Sequence, residues 1–204
     1  MAAIRGRRLR VTTPDGTDLS FWMPPDGWYH CNDGDASREK ALSAVCARDR
    51  EEELPCGAVR SIPAPDSVNG VLSLRREPAW NGFGIDVARF APHLDIEFRD
   101  GRISQLRAGD RQAELDAAWG ALQGDKDRLG EIVIGTNSLL TTPVGARMPT
   151  YWGFGDGVLR FHLGDNAESG GQFHSSLWIN LFLTDTTITA DGETIVRDGA
   201  CVVA

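Results

Sequence analysis

Asp-Gly dipeptides between short apolar runs are the feature that most constrains how this chain can fold. They stand at residues 15–16, 100–101, 191–192 and 198–199, each next to runs in which apolar and polar residues alternate. Asp-Gly adopts positive φ at low cost, and between alternating runs it is a strong signal for a β-hairpin. The sequence therefore predicts many antiparallel strands.

Two segments have the spacing of helices instead. Ser37 is expected to cap a first helix that runs as far as Cys46, and Asp110 is expected to cap a second that stops before Gly124. No composition shift or internal repeat divides the chain. We therefore expect one α+β domain over residues 1–204, with a mixed, mainly antiparallel sheet and a few helices.

Charge and cysteine usage narrow the class of protein. A formal net charge of −8 over 204 residues argues against a nucleic-acid or anionic-membrane partner. The polar N-terminus and the lack of a long apolar run predict no signal peptide and no membrane span. The four cysteines form no CxxC pair, so we expect reduced thiols and a cytoplasmic location.

A strand pair near the C-terminus resembles a known family. Residues 157–164 read Gly-Val-Leu-Arg-Phe-His-Leu-Gly, and residues 175–181 read Ser-Ser-Leu-Trp-Ile-Asn-Leu. In metallo-aminopeptidases of the aminopeptidase T type, a Gly-Thr-x-His-Ile-Ala-x-Gly strand precedes a Ser-x-x-His-Trp-Asp strand. Other segments resemble the family's motifs in the same order, at residues 10–12, 16–21, 54–59, 63–71, 129–132, 135–137, 191–192 and 198–199.

The resemblance implies the fold of the family's catalytic C-terminal half, together with a metal site that this chain has largely replaced. The five positions that would supply metal ligands hold Ala58, Glu131, Arg160, Trp178 and Asn180. Only Glu131 keeps the family's residue type. Alanine has no donor atom, indole N–H only donates, and arginine repels a cation. We therefore expect neither a metal nor another cofactor, which elemental analysis of the purified protein would check.

Arg160, which stands where the family has a histidine ligand, can compensate the negative charge of Glu131. An arginine there places a positive charge where a metal ion would sit, so Glu131 and Arg160 are expected to lie within ion-pair distance, with Asn180 at the same cavity. An alternative alignment abandons the match at Gly164 and puts His162 in the place of the family's histidine. That shift of two residues keeps the face of the strand.

These residues suggest two classes of function. The first is a metal-independent enzyme, hydrolase- or cyclase-like, that acts on a small amide- or carboxylate-bearing molecule, for instance in specialised metabolite biosynthesis. The second is a non-catalytic binding or partner protein. In the enzyme, the expected catalytic residues are Glu131, Arg160 and Asn180, and the expected substrate contacts are Trp178, His162, His174 and Ala58.

Two further expectations follow from the resemblance. The family's members associate through this half, so a homodimer is expected, and light scattering at micromolar concentration would test it. A mononuclear iron dioxygenase acting on hydroxypyridines is a third possible function for this fold. It requires one histidine and a His-x-Asp pair, which Arg160, Trp178 and Asn180 do not supply.

Overall fold

A computed structural model describes residues 1–75, 79–141 and 150–202, without the side chains of Ala79, Thr150 and Trp152. The strands of these residues are β1 (Arg7–Thr12), β2 (Asp18–Met23), β3 (Tyr29–Asn32), β4 (Ala58–Ser61), β5 (Asn69–Leu74), β6 (Ala79–Phe83), β7 (Leu94–Arg99), β8 (Arg102–Arg107), β9 (Leu129–Gly135), β10 (Leu159–Gly164), β11 (Trp178–Leu183), β12 (Thr187–Ala190), β13 (Glu193–Arg197) and β14 (Ala200–Cys201).

The strands form two sheets, and every pair of neighbouring strands is antiparallel. One sheet has the order β14-β13-β12-β1-β2-β5-β7-β8, and the other has the order β3-β4-β9-β10-β11-β6. The α+β class is confirmed. The mixed pairing expected from the sequence is not found among these strands, and four of the antiparallel pairs are hairpins with short Asp-Gly connections.

The Asp-Gly dipeptides turn the chain where the sequence predicted. They connect β1 to β2, β7 to β8, β12 to β13 and β13 to β14. In the Asp100-Gly101 turn the φ angles are +48° and +76°, and in the Asp191-Gly192 turn they are +46° and +86°. Two consecutive positive φ angles match the right-handed twist of a hairpin.

The helices are shorter than expected. Helix α1 (Arg38–Leu42) has Ser37 as its cap, as predicted, but it ends at Ser43, so Cys46 lies outside it. Helix α2 (Gln112–Ala121) follows a 3-10 turn, and Asp110 lies inside that turn instead of capping the helix. Among the described residues, no helix is long and apolar enough to cross a membrane.

The core lies between the two sheets. Phe21 of β2 meets Phe161 of β10 edge to face, with ring centroids 6.2 Å apart. Alternate residues of a strand point to opposite faces. Because Phe161 and Leu163 face the core, Arg160 and His162 point to the outer face of the six-stranded sheet. That outer face carries the polar residues described below.

Gly164 ends β10 in a conformation that only glycine adopts easily. Its φ angle is +94°, and a Cβ atom there would lie 2.0 Å from the carbonyl oxygen of Leu177.

We expect Gly164→Ala to lower the free energy of unfolding by about 2 kcal/mol or more, measured by urea denaturation. Gly192→Ala is the matched control, since its φ is +86° with no atom within 4 Å. Equal losses in both variants would show that the close approach to Leu177 is unimportant.

Candidate functional site

A row of polar side chains crosses the outer face of the six-stranded sheet. The strand register places Glu131 of β9 opposite His162 of β10, and His162 opposite Asn180 of β11. Asn180 is in turn opposite Asn81 of β6. Glu131, His162 and Asn180 are each at least 95% buried. Four neighbouring strands therefore bring polar groups together in an interior that would otherwise favour apolar residues.

Glu131 is held between two arginines. Arg160 Nη2 donates to Glu131 Oε1 at 3.1 Å, which is the contact expected from the sequence. Arg60 of β4 approaches the same oxygen, with Nη1 at 3.8 Å. The Ser169 hydroxyl donates to the other carboxylate oxygen. The carboxylate thus has two positive charges and a hydroxyl around it, which compensates for its burial.

The two arginines decide the protonation state of Glu131. Burial alone would raise its pKa, but the charges of Arg60 and Arg160 outweigh burial and hold the pKa at about 2. Burial, helped by Arg60, lowers the pKa of Arg160 to about 10, against the opposing effect of Glu131. At neutral pH Glu131 is ionised and Arg160 is protonated. Glu131 can therefore accept a proton or a hydrogen bond but has no proton to donate.

A chain of hydrogen bonds fixes the other end of the row. His162 Nδ1 lies 3.0 Å from Asn180 Oδ1, and Asn180 Nδ2 donates to Asn81 Oδ1 at 3.0 Å. His162 Nε2 faces the backbone carbonyl of Asp165. The imidazole and both ends of the Asn180 amide are thereby held in one orientation. A fixed amide beside an ion pair is suited to orienting a small polar molecule.

An open cavity of about 240 Å³ lies over this row. Its wall includes the arginines Arg48, Arg60 and Arg160 and the acids Glu53, Glu131, Asp165 and Glu168, together with His162, Asn166, Ser169, Trp178 and Asn180. Arg48 pairs with Glu168 across two short 3-10 turns at the edge of the cavity. The volume is large enough for a small organic molecule.

The arginines of the cavity keep hydrogen-bond donors to spare. Within the described part of the chain, Arg160 donates to Glu131 and Arg60 donates to Glu53, although a guanidinium carries several N–H groups. The Nε–H groups of Arg48, Arg60 and Arg160 are buried and have no acceptor there. Because these Nε atoms have almost no exposed surface, contacts to a ligand in the cavity would come from the Nη groups of the same arginines, each of which carries two N–H donors.

Not all residues predicted from the sequence reach the cavity. Ala58 packs against Val133 and Phe154 beneath it, and its methyl group is not part of the wall. His174 lies on the surface, where its ring atom Nδ1 is 3.7 Å from Asp165 Oδ2. The expectation that these two residues contact a ligand therefore has no support from the geometry. The aromatic residues just before β10 are further candidates for the pocket from the sequence, and of these Trp152 has its side chain outside the described residues.

Ser169 and Asn81 were not predicted as site residues from the sequence, and a third residue that was not predicted is Arg60. It stands two residues after Ala58 in β4 and so on the same face of that strand. The periodicity of the strand was the signal that could have found it. His162 and Arg160 also share one face, so both alignments considered for β10 put a residue into the same cavity.

The residues present do not fit a divalent metal ion. At the positions that the aminopeptidase resemblance assigns to ligands, Arg160 presents a cation and Trp178 presents an indole. The oxygen of Asn180 is engaged by His162. In residues 1–75, 79–141 and 150–202, no group of three or more His, Cys, Asp or Glu side chains is arranged to hold a metal. Arg60 and Arg160 supply the positive charge at this site.

His162 should make the protein less stable in acid. Burial lowers its pKa from 6.5, more than the neighbouring Glu131 raises it. The unfolded chain then binds more protons than the folded one, so the free energy of unfolding should fall as the pH drops from 6.5 through the folded pKa. Histidine NMR titration would give the pKa directly, and His162→Gln should remove this part of the pH dependence. A measured pKa above 6.5 would contradict the assignment.

Comparisons with known proteins agree with this architecture. No protein-family model and no curated protein matches the chain. Among solved structures, a 2,5-dihydroxypyridine dioxygenase from Pseudomonas putida KT2440 superposes with a TM-score of 0.71 at 18% identity, over 98% of this chain and 56% of the other. AmpT from Thermus thermophilus superposes with a TM-score of 0.58 at 16% identity, over 96% of this chain and 50% of the other.

Both similar structures carry the names of enzymes, one a dioxygenase and the other an aminopeptidase. The chain spans about half the length of each. At these identities the likeness concerns the fold and not the reaction. The chain is therefore a single α+β domain that distantly shares its fold with parts of these two proteins.

Proposed function

We propose that this chain is a metal-independent enzyme that acts on a small molecule bearing a carboxylate or an amide. The observation that carries the proposal is the cavity whose wall includes Arg60 and Arg160, with Nη donors to spare, on either side of an ionised Glu131. The planar guanidinium of arginine can donate two parallel hydrogen bonds to the two oxygens of a carboxylate. Hydrogen bonds between charged groups are about twice as strong as those between neutral groups.

Each residue then has a defined role. Arg60 and Arg160 hold the carboxylate or the amide oxygen of the substrate. Glu131, ionised at neutral pH, acts as the proton acceptor. Asn180, fixed by His162 and Asn81, orients the polar group that reacts. No step requires a metal, since the positive charge that would stabilise a developing anion comes from the arginines.

The second candidate, a non-catalytic binding protein, has one observation in its favour. Glu131 is held by Arg60, Arg160 and Ser169 together, and a carboxylate with a pKa of about 2 is a weak base. An efficient general base has a pKa near the working pH. The same cavity could therefore bind a small carboxylate and leave it unchanged.

Calorimetric titration with acetate, benzoate and benzamide tests whether the cavity binds such molecules. We expect Arg160→Gln to weaken the binding of benzoate by about tenfold or more, because one charged hydrogen bond is lost. Arg128→Gln is the matched control. Arg128 is also a buried arginine with an unmatched Nε–H, but it lies outside the cavity. Equal affinity in wild type and Arg160→Gln would reject the cavity as the binding site.

Mass spectrometry of the same mixtures distinguishes the enzyme from the binding protein. Conversion that persists in chelator and disappears in a folded Glu131→Gln variant would support the metal-independent enzyme. Binding without conversion of a wider panel of carboxylates and amides would favour the binding protein. Conversion that chelator abolishes would contradict metal independence.

A further inference from the structure

Two aromatic rings extend the site beyond its charged part. Trp178 forms part of the cavity wall, and its ring stacks on that of Phe83 in β6. The centroids are 5.9 Å apart and the planes differ by 12°. Strand register places the two residues directly opposite each other. Phe83 is 60% exposed, so the stack leads from the cavity wall to the surface.

The inner end of this stack adjoins the polar row. The Trp178 ring meets His162 edge to face, with centroids 5.1 Å apart, and His162 bonds to Asn180. A molecule held by Arg160 and oriented by Asn180 would therefore have Trp178 beside it. Flat rings pack well against aromatic side chains, either offset and parallel or edge to face, and gain more from this than from buried area alone.

We propose that Trp178 and Phe83 form a subsite for a flat conjugated ring attached to the carboxylate that the arginines hold. This inference rests on the proposed function and names its substrate class: ring-bearing carboxylates rather than aliphatic ones. The two ring planes are nearly parallel, so the stack holds the Trp178 ring flat, and a puckered saturated ring of the same size covers such a ring less well. Phe83 lies outside the cavity wall and supports the Trp178 ring by stacking on it, so its removal should weaken the preference for a flat ring.

Calorimetric titration with benzoate, cyclohexanecarboxylate and acetate tests the subsite. Benzoate and cyclohexanecarboxylate have the same number of carbon atoms, so their ratio isolates the flat ring. We expect wild type to bind benzoate about fivefold more tightly than cyclohexanecarboxylate, the size of effect given by aromatic packing. Phe83→Ala and Phe83→Leu should bring the two affinities together and leave acetate binding unchanged. Leu42→Ala, at another exposed apolar residue, should keep the wild-type ratio.

The outcomes separate the subsite from the proposed function. If acetate and both ring acids bind but the ratio is near one in wild type, or stays unchanged in both Phe83 variants, the subsite is wrong and carboxylate binding stands. If none of the three probes binds to the wild-type protein, both the proposed function and the subsite are rejected. Because Phe83 is exposed at the end of an edge strand, its variants are expected to fold.

Discussion

Replacing Arg160 by alanine should lower the free energy of unfolding by about 3–5 kcal/mol. The substitution removes the guanidinium that lies 3.1 Å from the buried Glu131 carboxylate. Breaking a buried ion pair from one side is costly because the remaining charge is left without compensation. Arg60 stays at 3.8 Å from the same oxygen, which places the expected loss towards the lower end of the range.

A double-mutant cycle with Glu131→Gln shows whether the loss comes from the pair. In the Glu131→Gln background no carboxylate is stranded, so Arg160→Ala should cost clearly less than it does in the wild type. Urea denaturation of the four proteins gives the coupling free energy. Additive losses would mean that Arg160 stabilises the fold through its packing alone.

Glu131→Gln is expected to lower the free energy of unfolding by roughly 3 kcal/mol at neutral pH. The pKa of Glu131 is about 2 in the folded protein instead of the ordinary 4.5. Each unit of this difference corresponds to about 1.4 kcal/mol of stability. A group whose folded pKa is depressed stabilises the fold above its unfolded pKa. That stabilisation disappears as the pH falls from 4.5 to about 2. The difference between wild type and variant should therefore shrink over the same pH window.

Denaturation curves at several pH values measure this effect. Glu168→Gln is the matched control, since Glu168 pairs with Arg48 at the rim and its side chain is 42% exposed. Its removal should change the free energy of unfolding by no more than about 1 kcal/mol. A Glu131→Gln variant as stable as the wild type at pH 7 would show that the two arginines do not hold Glu131 as an ion pair.

Much of this architecture could be predicted because its signals are local. An Asp-Gly dipeptide between alternating runs specifies a hairpin from its own backbone preference, and the hairpins at Gly16, Gly101 and Gly192 are present. The contact of Glu131 with Arg160 was instead implied by the resemblance to the aminopeptidase T-type motifs, in which Gly157 and Gly164 align Arg160 with a metal-ligand position. Of the two, only the hairpin signal depends little on distant parts of the chain.

The remaining features depend on contacts that are distant in sequence. Arg60 lies 71 residues before Glu131, and only the pairing of β4 with β9 brings the two strands together. The first helix ends at Ser43 and adds no side chain to the core: α1 has no buried residue, and Leu42 is exposed. Apolar spacing predicts a helix, but packing decides how long it is.

The most direct test of the account is a crystal structure of the protein grown with benzoate. We expect electron density for the benzoate carboxylate in the cavity beside Glu131, within hydrogen-bond distance of Arg60 or Arg160. No metal should be bound there. Benzoate bound elsewhere on the protein, or a metal ion between Glu131 and Asn180, would contradict it.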